Sequence, residues 1–381
     1  MLRDQDFDIL PTLRVRVRQH IFETAVERPV GETGQAPNHQ ELGGTGQAPN
    51  HQELGGTGQA PNHQEIALVS YCSQGLAALG QREIVFSVDQ NSLLPEQFDD
   101  PLSFFEMVYH AARTGLYVDV GDLSRFGETP MIRGTELSGV CYLPAQRLPG
   151  FELPPNALSA LGLFGPDEVA MVESGGLARL LPRLAKDAGL LPYPPLTLLS
   201  RPKHCGPDDW SSSLLSTIPG WTFPHARCSL RLASQNGDLA QLPSSTQAPR
   251  TIRLRLRREH REQWQAFWPL IQDAPAFALR TGIDWDANAI LLWEQQQSQV
   301  LSNSHALKPN STISTAGLVL LRSDLQHSSS LPHTALDGRS AVLEDCLACA
   351  LDELQFSQLR RSLEEGTELQ LGPLQLEWVD V

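Results

Sequence analysis

Residues 12 to 18, TLRVRVR, set Leu13, Val15 and Val17 in alternation with Arg14, Arg16 and Arg18. That is the period of two of a half-buried strand, whose successive side chains leave opposite faces. IALVSYC (66–72), REIVFSV (82–88) and GVCYLPA (139–145) predict further strands. In LSFFEMVYHAARTG (102–115) the period changes: Phe105, Val108, Tyr109 and Ala112 share one helical face, and Gly115 is a stop signal. The segment from Gly165 opens with a proline and two acids, suited to a helix N-terminus, breaks at Gly175–Gly176, and resumes as a second helix to Lys186.

From 187 to 250 the chain is rich in Pro, Ser and Gly, which predicts a long connection with short ordered pieces. TIRLRLR (251–257) then restarts strict alternation. A Trp-rich helix follows (Trp264, Phe267, Trp268, Ile271), then strands at AILLWEQ and AGLVLLR, an amphipathic helix or helix pair over 341–366, and a closing hairpin in LQLGPLQLEWV. Neither half has βαβ regularity, so the expected class is α+β, as two mixed sheet-and-helix lobes joined by a Pro/Ser-rich connection. The expected borders are 1–195, a linker at 196–250, and 251–381.

Between the first two strands lie three near-identical twelve-residue copies, 31–66, carrying His39, His51 and His63. They hold almost no apolar residues and many turn formers, so they cannot bury enough surface to offset chain entropy. Their period is too short, and too polar, for a stacking solenoid. The reading is a disordered insertion in a strand connection, with no metal role. Removing two copies should change loop closure by ~1 kcal/mol or less. Thermal melts of variants with one, two and three copies check this; a fall beyond ~5 °C would mean the copies pack.

Composition adds limits. The chain has 381 residues and a net charge of −15. Such a surface repels phosphate backbones and anionic membranes, so no nucleic-acid or membrane partner is expected, and a basic protein is the natural partner. No apolar leader or ~20-residue apolar run is visible, and six scattered cysteines suit free thiols, which together predict a cytoplasmic protein.

Candidate chemistry is sparse. Cys346 and Cys349 form a C-x-x-C inside the expected helix, where they read as core thiols with Leu343, Leu347 and Ala350. His204, Cys205, His225 and Cys228 could supply zinc ligands, and Cys205, His225 and Cys228 are kept as an alternative metal set. Asp284-Trp-Asp286-Ala-Asn288 starts like a calcium loop but lacks the glycine and the bidentate acid. Glu173-Ser-Gly-Gly176 lacks the first glycine of a nucleophile elbow and reads as a helix end. Arg253, Arg255, Arg257, Arg258 and Arg261 form a basic run, expected to be a solvated sheet face balanced by acids. No catalytic residue, cofactor or metal is assigned. If the chain were an enzyme, His110, His225 and Asp122 would be the first suspects.

Tyr71, the turn Gly75-Leu76-Ala-Ala-Leu79-Gly80 and the strand Glu83-Ile84-Val85-Phe86 together resemble the entry motif of the suppressor of fused family. The order continues through the 102–114 helix, Gly121-Asp122 at the family's G-D turn, and the 139–143 strand. The segment from Gly165 to Leu181 matches the next family helix loosely. The resemblance covers roughly 65–195, with a looser match over 316–380. It implies a two-lobed α+β adaptor without catalysis. In animal members a transcription-factor peptide binds between the lobes, and many bacterial relatives belong to toxin–immunity systems. The animal proteins have Asp where this chain has Ala78, and only Tyr71 and Asp122 carry over as partner-binding residues. The expected function is thus a bacterial-type immunity or adaptor protein; an unrecognised enzyme or a zinc-stabilised module are the alternatives.

Overall fold

The structure, a computed structural model, describes residues 5–26, 62–188, 190–204, 214–232, 250–271, 273–294, 297–302, 310–323 and 340–380. Two mixed sheets with helices between and outside them confirm the α+β class.

The first sheet has seven strands: β1 (Gln5–Leu10), β2 (Leu13–Val26), β3 (Asn62–Gln74), β4 (Ile84–Asp89), β5 (Leu123–Arg125), β6 (Leu137–Pro144) and β7 (Leu158–Phe164). Their order is β1-β2-β3-β4-β7-β6-β5, and only β4–β7 is parallel. The expected strands at 12–18 and 66–72 are the inner parts of a longer pair. The pairing runs on to Val26↔Asn62, so the last five residues of the third copy, 62–66, belong to β3 and not to an insertion. The rest of the repeat, 31–61, lies outside the described residues.

Both faces of this sheet are covered. Val140 and Tyr142 of β6 face a core with Phe104, Phe105 and Val108 of α1 (Leu102–Arg113). Cys141 and Leu143 face the opposite way, into a layer shared with the second half of the chain. That layer also takes α2 (Gly165–Glu173) and α3 (Leu177–Ala188), the expected helix pair broken at Gly175–Gly176.

The second sheet corrects the linker. Residues 196–250 are not simply a connection: Leu196 and Thr197 are buried on the first sheet, α4 (Leu214–Thr217) follows, and β8 (Gly220–Leu232) is a central strand. Its first part pairs parallel with β10 (Ala276–Gly282), and its second part antiparallel with β9 (Arg250–Arg257) and β13 (Thr312–Ser314). The register breaks where Pro224 sits, since proline cannot donate to a ladder. Pro224, His225 and Arg227 also break the apolar alternation, which hid the strand from its sequence. Beyond β10 lie β14 (Gly317–Arg322), β16 (Cys346–Leu351) and β15 (Ser340–Leu343); beyond β13 lie β11 (Ala289–Glu294) and β12 (Gln297–Ser302). β17 (Leu369–Leu371) and β18 (Leu374–Val379) join through β9. The helices α5 (Arg261–Ile271) and α6 (Glu353–Glu365) cover its outer face with Trp264, Phe267, Trp268 and Phe356.

The expected 341–366 helix is also corrected. Its first part is the β15–β16 hairpin. Only 353–365 is helical, started by Asp352, whose side chain accepts from the Gln355 amide while Gln355 bonds back. Cys346 and Cys349, three apart on a strand, therefore face opposite ways. Cys346 joins the shared layer and Cys349 the outer core. Both are buried thiols.

Candidate functional site

Where the first half meets β8 and β10 of the second sheet, a cleft of ≈ 190 Å³ remains. Gly121, Asp122 and Leu123 line one wall; Val172, Glu173 and Gly175 continue it from the end of α2; Thr222, Pro224, Thr281 and Gly282 of β8 and β10 form the other. The walls approach closely because the first half presents glycines. A Cβ on Gly175 would lie 2.6 Å from the Thr222 methyl, and one on Gly121 would lie 3.2 Å from Pro224 Cβ.

Asp122 sits in this wall. It is held by a tight turn: its Oδ2 accepts from the Asp119 amide at 2.7 Å, while Gly121 N and Tyr142 N complete the pairing to β6. Burial and the neighbouring Asp119 charge raise its pKa. Glu173, the other carboxylate at the cleft, is paired with Arg125. Asp122 is thus at a surface a partner can reach. Tyr71, its companion in the expectation, is not. It is fully buried beside Phe86, and its hydroxyl donates to the Phe98 carbonyl at 2.8 Å, so it is a core residue.

Beside the cleft lies an ionic seam that sequence reading assigned to solvent. Ile252, Leu254 and Leu256 of β9 enter the outer core. Arg253, Arg255 and Arg257, on the opposite face, are largely covered. Arg253 pairs with Glu377 at 2.7 Å, Arg255 with Asp284 and Asp286, and Arg257 with Asp119 at 3.1 Å and Glu259 at 3.2 Å. Acids do balance the arginines as expected, but Arg257 reaches across to the first half. Asp119 also binds Arg82 at 3.0 Å. Burial works against its ionisation; the Val120 amide and the two guanidiniums overcome that and lower its pKa.

The Asp284–Asp286 turn is part of the same seam. Trp285 is packed against both halves, edge-on to Tyr193 at 5.2 Å, with the Arg227 guanidinium 5.3 Å from its ring. The stretch that imitated a calcium loop is a plug between the sheets. Arg227 is buried and donates to the Pro224 and Ala226 carbonyls; burial and the nearby Arg257 and Arg255 lower its pKa to about 9.

Cys228 is fully buried in the outer core and its thiol is pushed up to about 12, whereas His225 stacks on His260; Cys205 lies outside the described residues. His225 and Cys228 do not converge, and among the described residues no group of three His, Cys, Asp or Glu is placed to hold a metal ion. Of the enzyme suspects, His110 is exposed on α1 beside Glu106 at 3.7 Å, while Asp122 and His225 belong to the cleft and the seam. A serine–histidine contact missed in the sequence, Ser70 Oγ to His20 Nε2 at 2.8 Å, places its hydroxyl in a fully buried residue shared with Ser87.

No family model matches the chain, and no curated protein does. Comparison with solved structures returns the crystal structure of Drosophila Suppressor of Fused, 14% identical, with a TM-score of 0.29 over 82% of this chain and 84% of that one. No helix among the described residues is long and apolar enough to cross a membrane.

Proposed function

We propose that the protein is a non-enzymatic binding module of the suppressor of fused type, which takes a segment of a basic partner protein into the cleft between its two sheets. The observation that carries this is the cleft wall itself. Val172 and Leu177 offer apolar contact, and Asp122 supplies a carboxylate that is in no ion pair among the described residues. Gly121 and Gly175 are packed against Pro224 and Thr222 with no room to spare even for a Cβ, so the guest lies beside them. Apolar contact gives affinity, and one charge orients the guest. The net charge of −15 would steer a cationic partner in. An immunity or adaptor role in a bacterial cytoplasm is the fuller form of this reading, and its support is the ordered motif series from Tyr71 to Leu143.

Co-purification from the native host at rising salt tests it. A protein partner should be retained at low salt and released as salt increases. Asp122→Asn, which keeps an oxygen to accept from the Asp119 amide and removes only the charge, should reduce retention several-fold with little change in melting temperature. Capture of no protein at any salt, or equal capture by Asp122→Asn, would sink the reading.

A further inference from the structure

Asp122 is the cleft carboxylate, and its place depends on Asp119 three residues earlier. The Asp119 amide donates to Asp122 Oδ2 at 2.7 Å, and the Asp122 amide donates back to the Asp119 carbonyl at 3.0 Å. Gly121, between them, donates to the Tyr142 carbonyl at 2.8 Å, which pins the turn to β6. The Asp119 side chain is held as well. Its Oδ1 accepts from the Val120 amide at 2.7 Å and lies 3.0 Å from Arg82 Nη1, and its Oδ2 lies 3.1 Å from Arg257 Nη1. Val120 and Arg82 belong to the first half; Arg257, the last residue of β9, belongs to the second sheet. Alternation sends Leu256 into the outer core, so Arg257 leaves the opposite face, where Glu259 holds the same nitrogen at 3.2 Å. Both Asp119 oxygens are taken by cations. Asp122 is the carboxylate of this turn that is in no ion pair among the described residues.

We propose that Arg257 is a positioning residue for the cleft: from the second sheet it fixes the turn that carries Asp122, so the charge offered to the guest is set by both halves together. The proposal rests on the reading that Asp122 meets the guest. Arg82 and the Tyr142 carbonyl tie the turn within its own half, which leaves its distance from the opposite wall unfixed. Arg257 supplies that register, because β9 is paired to β8, and β8 carries Thr222 and Pro224 of the wall. The Arg257–Asp119 pair is mostly covered, so water and salt screen it less than an exposed pair. Neutralising Asp119 has a second effect. Burial raises the Asp122 pKa and the Asp119 charge adds to it, so each cation on Asp119 helps keep Asp122 ionised for a cationic guest.

Hydrogen exchange and a carboxyl titration followed by NMR, both on the full chain without partner, test this. Arg257→Gln should speed exchange of the Gly121 and Asp122 amides tenfold or more, while 346–351 in the second sheet is unchanged. It should also move the Asp122 titration midpoint up by roughly half a pH unit, since Asp119 then keeps one cation instead of two. Arg253→Gln is the control. It removes an equal charge from the same face of β9, but its partner Glu377 lies on β18 in the same half, so both readouts should stay near wild type. If Arg257→Gln does not fold, Asp119→Asn serves: it keeps an oxygen for the Val120 amide, gives up both bridges and should speed the same amides. Unmoved exchange in the variant that folds, or an equal effect of Arg253→Gln, would overturn the proposal. Where a partner is captured, Arg257→Gln should reduce its retention several-fold, and equal retention would overturn the proposal too. Capture of no protein, with both partner-free readouts moved, would fault the binding reading and leave the positioning of Asp122 standing.

Discussion

Replacing Arg179 by methionine should lower the stability of the chain by about 3–5 kcal/mol. Arg179, on α3, is 2% exposed, and Asp345, at the turn between β15 and β16, is 1% exposed. They form a bidentate pair, with Arg179 Nη2 also 3.3 Å from Glu344. Burial disfavours the guanidinium charge, but Asp345 more than restores it, so the Arg179 pKa is raised. Removing only the arginine strands a buried carboxylate in the layer that the two sheets share. The thermal midpoint should fall by roughly 6–20 °C, at ~2–4 °C per kcal/mol for a large domain. Adding Asp345→Leu to Arg179→Met should recover much of the loss, because two apolar groups leave nothing unpaired. A double-mutant cycle in urea measures the coupling. If the single variant costs under ~1 kcal/mol, the pair does not hold the sheets together.

Much of the local structure was legible because it followed one period. The alternating arginine strands, the α1 face and the Gly175–Gly176 break all depend on nearest neighbours along the chain, and each is found where its pattern put it. β16 was not legible as a strand. CLACAL is buried on both faces between β14 and β15, so it shows a continuous apolar run that a buried helix would show equally well. The available signal was local: Asp352 with Gln355 three residues on is a capping box, and it starts the helix after the cysteines. β8 was hidden for the opposite reason. Its polar residues serve the seam, and its proline sits at the register break.

The site was legible only in part. Asp122 was found through the resemblance, and it lines the cleft; Tyr71, found the same way, is core. The seam was missed although its arginines were in plain view. Alternation says that Arg253, Arg255 and Arg257 share a face, but not whether that face meets water or another sheet. Their acids come from 119, 259, 284, 286 and 377, and no local pattern joins those positions. Net charge favoured the solvent reading, yet a charge sum says nothing about which pairs become covered.

Gly175→Val should be strongly destabilising at the cleft. Gly175 ends α2 with φ +86°, and a Cβ there would lie 2.6 Å from the Thr222 methyl, 2.7 Å from its hydroxyl and 3.2 Å from Arg280 Cβ. A β-branched residue in the left-handed region costs on the order of 1–3 kcal/mol, and forcing Thr222 away costs about as much again. The combined loss should be ~2–6 kcal/mol, with the wall at Thr222 pushed back. Gly115→Val separates the two causes: Gly115 has φ +81°, but nothing lies within 4 Å of its would-be Cβ, so only the backbone cost applies. The difference between the two variants in denaturant midpoint isolates the contact across the cleft. Equal losses would mean that Thr222 yields freely, and that the close approach of the two sheets at Gly175 does not set the width of the cleft.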